Sequence, residues 1–176
     1  SSAPDIRHGA LPDANAGPDV DAGPDADAGL ETPDWTWETH GQVSPHYDQV
    51  FGPDVLNFFI VISPENWQIL QQDMDEHLQN VQMGPGIDLS AWDPVFVPCT
   101  LEANGRTWYQ VGIRVKGNSS LVAAYKSGIQ KFSFKLDFDE FEDVWPQIRD
   151  QRFYGFKQLN LKNNFDDPGQ LHEHLG

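Results

Sequence analysis

Apolar residues in this chain gather from residue 55 onward, in short blocks of two different periods. The run "DVLNFFIVIS" (54–63) is continuous, of strand length and rich in Val, Ile and Phe, so it predicts a buried strand. A helix start follows: Ser63 as N-cap, Pro64 in the first helical position and Glu65 in the first turn. Trp67, Leu70 and Met74 then recur on one helical face, the spacing of a core stripe. "GPGIDLSAWDP" (84–94) reads as loop. "FVPCTLEANGRTWYQVGIRVKG" (96–117) predicts a hairpin that turns at Asn104-Gly105. In "KFSFKLDF" (131–138), Phe132, Phe134, Leu136 and Phe138 fall on one strand face, and Lys131, Ser133 and Lys135 on the other. "FKQLNLKNN" (156–164) predicts the last strand, and Asp167-Pro168 opens a new helix. Strand, helix and then several antiparallel strands make the class α+β.

The first third has no such pattern. "PDANAGPDVDAGPDADAG" (12–29) repeats Gly-Pro-Asp-x-Asp-Ala with no apolar face to bury, so residues 1–52 are expected to be a disordered acidic tether and 53–176 the folded domain. The formal charge is −16, of which −10 falls in residues 1–54. The acidity therefore describes the tether and says little against an anionic ligand for the fold. Asp19, Asp21, Asp25 and Asp27 alternate as calcium-loop oxygens do, but the ligand order and closing Glu of a calcium loop are missing. A solvated spacer is the plainer reading, with calcium-dependent adhesion as its rival. No run is long and apolar enough to cross a membrane, and "SSAPDIRHG" lacks the regions of a signal peptide. Spacers of this composition suit an exported, cell-surface domain, with membrane attachment through a lipid anchor upstream of Ser1. Cys99 stands alone, which excludes an intrachain disulfide, and reads as a small strand residue.

The charge distribution changes sharply after Glu102. No acid occurs until Asp137, and Arg106, Arg114, Lys116, Lys126, Lys131 and Lys135 all fall between. Arg114 and Lys116 share a strand face that leads into Gly117-Asn118-Ser119-Ser120. A glycine turn with free amides and two hydroxyls can present converging donors to a phosphate, with the lysines supplying charge. A solvated lysine-bearing sheet face explains the same residues without any ligand. No nucleic-acid-binding motif accompanies the patch. His172 and His174 are two apart, so a helix does not put them on one face, and no Gly-x-Ser-x-Gly elbow is present.

Taken together and in order, "RVKGNSSL", "KFSFKLDF" and "FYGFKQLNLKNNFDDPGQLHEHL" resemble the amino-terminal part of the CotH kinases, the spore-coat protein H family of atypical protein kinases. The resemblance implies the antiparallel small lobe of a divergent kinase fold. It also implies ATP and a divalent cation, commonly Mg2+, as cofactors, and Ser residues of coat or other extracellular proteins as phosphate acceptors. By position, it makes Gly117, Asn118, Ser119 and Ser120 the turn near the nucleotide, and Arg114 and Lys116 the strand that leads to it. Lys131 and Lys135 become the phosphate-contacting lysines, Lys131 being the favoured one, and Glu173 the acid expected to pair with that lysine. The usual helix pattern carries basic residues where this chain has His172 and His174. Asp166 or Asp167 would cap the helix that Pro168 begins. The catalytic carboxylate and the metal ligands are expected on a large lobe beyond Gly176, so the 176-residue piece is expected to be inactive alone. The alternative is a non-catalytic, β-rich binding or structural module on an acidic tether.

Overall fold

In a computed structural model, the structure describes residues 31–32, 34–41, 50–53, 56–84 and 86–163. The elements are α1 (Trp37–His40), β1 (Phe59–Val61), α2 (Pro64–Leu78), β2 (Val97–Ala103), β3 (Arg106–Lys116), α3 (Ser119–Lys126), β4 (Ser133–Asp137), a 3-10 turn (Pro146–Ile148) and β5 (Gln158–Leu161). The strands form one antiparallel sheet in sequence order, so the fold is α+β. The Asp-rich repeats, the helix expected at Asp167-Pro168, and Glu173 lie outside the described residues.

The helix start works as the sequence implies. The Ser63 hydroxyl accepts from the Asn66 amide at 3.1 Å, Pro64 occupies the first turn, and Leu70, Met74 and Leu78 are buried on one face. Asp73, on the other side of α2, accepts from the Trp92 indole at 3.1 Å and from the Val95 amide at 3.0 Å. Those bonds pin the long loop between α2 and β2 beside the sheet.

The β2–β3 hairpin turns at Asn104 and Gly105, whose φ angles of 50° and 72° are those of a two-residue primed turn. Farther along β3, Gln110 also takes a positive φ of 49°, and the pairing slips between Cys99 and Leu101. This is a β-bulge. It lets Trp108 face the core together with Val111, Ile113 and Val115, although their parities differ. It also sets which face receives Gly112, Arg114 and Lys116.

Two expectations are corrected. The run 54–63 is not buried throughout: only Phe59–Val61 is strand, and it is the sheet edge. Ile60 packs inward, whereas Phe59 and Val61 are 64% and 61% exposed. Residues 34–41, assigned to the tether by composition, belong to the folded body. Asp34 accepts from the Thr107 amide at 3.0 Å and from the Tyr109 hydroxyl at 2.5 Å, and the Trp35 indole donates to Gln151 at 3.0 Å. His40 is fully buried between Trp35 and Trp108, ring centroids 6.1 and 5.0 Å away, and its carbonyl accepts from the Arg152 amide at 2.6 Å.

Burial holds the His40 imidazole below its ordinary pKa of 6.5, against the pull of Asp34. Its Nε2 has no hydrogen-bond partner among the described residues, so the neutral ring suits the site. The stability this contributes is complete above the ordinary pKa and declines as pH falls below it toward the folded value. Urea midpoints are therefore expected to fall between pH 7.5 and 5, and His40→Phe is expected to remove that part of the pH dependence. An unchanged slope in the variant would show that His40 is not the group responsible.

Candidate functional site: a cationic cavity on the open sheet face

Alternation divides the sheet into two faces. Cys99, Val111, Ile113, Leu136 and Leu159 face the core, while Arg114, Lys116, Lys135, Gln158 and Asn160 face the other way. In register, Arg114 lies opposite Lys135, and Lys135 opposite Asn160. Three cations and two amides from three strands thus share one surface. The loop held by Asp73 closes one side with Leu89, Trp92 and Pro94, leaving a cavity of about 390 Å³.

Phe96 organises the charge. Its ring lies under the Arg114 guanidinium at 4.6 Å and near the Lys135 ammonium at 5.9 Å. The ring can sit there because Gly112 has no side chain: a Cβ at that position would come within 3.2 Å of Phe96 and 2.6 Å of the Glu140 Cβ. Arg114 also pairs with the exposed Asp93 and donates to the Pro94 carbonyl at 3.3 Å. Such an exposed pair contributes little energy and yields readily to a stronger anion. Lys116 and Lys135 have no carboxylate partner within 4 Å among the described residues.

Gly117-Asn118-Ser119-Ser120 is a helix start rather than a free turn. Gly117 takes φ +133°, where a Cβ would meet Leu121 and the Ser120 hydroxyl at 3.2 Å. Asn118 is the N-cap residue and donates to the Ile87 carbonyl at 3.0 Å, and Ser119 and Ser120 begin α3. Gly117 lines the cavity; Asn118, Ser119 and Ser120 follow it without lining it. Lys131 lies before β4 and outside the lining, and its carbonyl accepts from Asn163 at 2.5 Å. The structure therefore brings Arg114, Lys116, Gly117 and Lys135 together and separates Lys131 from them. Of the two lysines, Lys135 is the one at the cavity.

Leu89, Trp92, Phe96, Gln158 and Asn160 carried no chemical signal in the sequence. Each acts through its place in the sheet or loop, not through a motif. A second cavity of similar size, about 380 Å³, lies between α2 and α3. Among the described residues its lining holds Gln68, Gln71, Gln72 and Asp75 and no Lys or Arg, so its chemistry does not suit a polyanion.

Beyond β4, Asp139, Glu142 and Asp150 bring carboxylate oxygens within 4.8 Å of one another. Asp139 there is already neutralised: Arg152 pairs with it at 2.6 Å and Lys157 at 3.0 Å. Burial alone would raise the Asp139 pKa, but its bonds to Asp137, Lys157 and Arg152 outweigh that and hold it below the ordinary range. A divalent cation would have to displace both bases, so these residues do not fit a magnesium site. Asp139 and Asp150 pair with Arg152, and Glu142 accepts from the Asp150 amide at 2.8 Å, so these acids tie the 139–152 loop to the end of β4.

No curated protein and no solved structure matches the chain. Residues 113–176, just over a third of the chain, match the family model described as CotH kinase protein, a stretch that takes in Arg114, Lys116, Gly117 and Lys135.

Proposed function

We propose that the cavity binds the polyphosphate of ATP, and that this chain carries the nucleotide-binding small lobe of a CotH-type atypical kinase. In this reading the whole protein passes phosphate to Ser hydroxyls of extracellular or coat proteins. The observation that carries the reading is the convergence of Arg114, Lys116 and Lys135 on one cavity inside the stretch that matches the family. The planar Arg114 fork suits two phosphate oxygens at once, while the lysines act as point charges. Gln158 and Asn160 offer amide donors at the cavity wall, and the Leu89, Trp92 and Pro94 side offers an apolar surface for a base.

ATP supplies the phosphoryl group, and these residues bind it, orient it and offset its charge. Magnesium ligands and the catalytic carboxylate are assigned to residues outside the described ones, because the acids near β4 are held by Arg152 and Lys157. Export and attachment to a surface through the acidic tether complete the proposal. A non-catalytic anion-binding module is the second reading. It is favoured by the cavity lining itself, which among the described residues holds no carboxylate able to activate a hydroxyl. Calorimetric titration with ATP is expected to show one saturable site that Lys135→Ala weakens. An isotherm without heat, or one indifferent to that substitution, would reject the nucleotide reading.

A further inference from the structure

We propose that Asp137 and Glu140 form a proton-carrying rim on this cavity, so that a polyanion settles at Arg114 and Lys135 together with protons taken up by the two carboxyl groups. The proposal rests on the anion-site reading above and adds how that site is regulated.

Asp137 lies two residues past Lys135 on the same face of β4, opposite Gly112 on one side and Gln158 on the other. It is 4% exposed, and its Oδ2 accepts from the side-chain amide of Gln158, itself part of the cavity wall. Its Oδ1 has no hydrogen-bond donor among the described residues, and neither has the Oδ1 of Asp139. Asp139 Oδ1 is compensated by the Lys157 ammonium at 3.0 Å; Asp137 Oδ1 has no base within 4 Å among the described residues. A buried carboxyl with an orphan oxygen, near an acid that Arg152 and Lys157 hold ionised, gains a proton more readily than a free carboxyl does. Burial first, and then the neighbouring Asp139 carboxylate, push the Asp137 pKa up, against Gln158 and Lys157. Asp139 is the ionised partner and Asp137 the proton carrier.

Glu140 packs over Gly112, at the foot of Arg114 and Lys135. Burial and Asp137 raise its pKa, and the two bases oppose them. Around these carboxyl groups stand Arg114 from β3, Lys135 and Asp139 from the β4 segment, and Lys157 with Gln158 at the start of β5. Asp93 pairs with Arg114 from the loop, and His77 stacks on Trp92 at 5.1 Å behind the cavity wall. When Asp137 and Glu140 ionise, they compete with an incoming anion for Arg114 and Lys135. When protonated, they leave those charges to the anion.

Sulfate is the probe, because it keeps its double charge across the relevant pH range. Its affinity for the full chain is expected to fall by about tenfold between pH 5 and pH 8, with net proton uptake on binding measured by calorimetry in buffers of different ionisation enthalpy. The Asp137→Asn, Glu140→Gln double variant should bind sulfate about tenfold more tightly at pH 8 and lose most of the pH dependence. Asn at 137 can still accept from the Gln158 side-chain amide. His77→Gln should leave the slope unchanged, which separates the rim from that imidazole. The proposal is overturned if wild-type binding takes up no proton, or if the double variant folds and keeps the original pH profile. If sulfate does not bind at any pH and Lys135→Ala has no effect, the anion site itself is refuted along with its rim.

Discussion

Trp108→Ala is expected to lower the unfolding free energy by about 4 kcal/mol, a large part of what a domain of this size has in total. Trp108 is fully buried, and its ring meets Phe153 at 4.6 Å, His40 at 5.0 Å and Tyr154 at 5.5 Å. Its indole nitrogen also donates to the Arg152 carbonyl at 2.9 Å. Truncation opens a cavity where the 34–41 segment, β3 and the 151–154 loop meet, and it strands a buried carbonyl. Trp108→Phe keeps much of the volume but not the hydrogen bond, so about half the loss is expected to return. Urea denaturation followed by far-ultraviolet circular dichroism measures both. If Trp108→Ala shifted the midpoint no more than a surface substitution does, the packing described around His40 would be wrong.

The second large effect concerns ligand binding. Arg114→Ala with Lys135→Ala is expected to weaken ATP binding by about 100-fold or more, since each charge-assisted contact to phosphate contributes roughly 1.5–3 kcal/mol. The two residues face each other across β3 and β4 and share the Phe96 ring. Their effects are therefore not expected to be additive. Either single variant should cost about thirtyfold, so a double variant near 100-fold falls short of the product and the double-mutant cycle returns a coupling term. Thermal unfolding of the variants should change little, because both side chains point away from the core. Lys131→Ala serves as the comparison. It removes the same charge from the same stretch but outside the cavity lining, and should leave ATP affinity within a factor of about two.

Much of this scaffold was legible in the sequence because it rests on local rules. Ser63-Pro64 starts α2 through backbone bonds made within four residues, and Asn104-Gly105 turns because both positions tolerate positive φ. The bulge at Gln110 was not legible. Glutamine has no preference for that conformation, and the pairing of β2 with β3 imposes it. Phe59 and Val61 resemble core residues in the sequence but end on an exposed edge, because no further strand among the described residues pairs with β1. The folding of residues 34–41 depends on partners more than 70 positions away, such as Thr107 and Tyr109. A composition count has no access to such contacts.

The candidate site shows the same division. Strand alternation put Arg114 with Lys116 and Lys131 with Lys135, and the basic run from 103 to 136 marked the region, but the pairing of β3 with β4 is what sets Arg114 opposite Lys135. Alternation could not separate Lys131 from Lys135, which share a parity; the start of β4 at Ser133 separates them. Nor could it show Phe96 beneath the cations, or Glu140 and Asp137 beside them. Phe96 and Glu140 come together there because Gly112 leaves space above the sheet.

Where a nucleotide touches this chain is the deciding observation. An NMR titration of the isotopically labelled 176-residue protein with ATP, without added metal, measures that. Chemical-shift changes are expected at the amides of Arg114, Lys116, Gly117, Lys135, Gln158 and Asn160 and at the Trp92 indole, saturating together and absent in the Arg114→Ala, Lys135→Ala variant. Saturable changes that map to the Gln68–Asp75 face of α2, or an unchanged spectrum at millimolar ATP, would contradict nucleotide binding at the cavity.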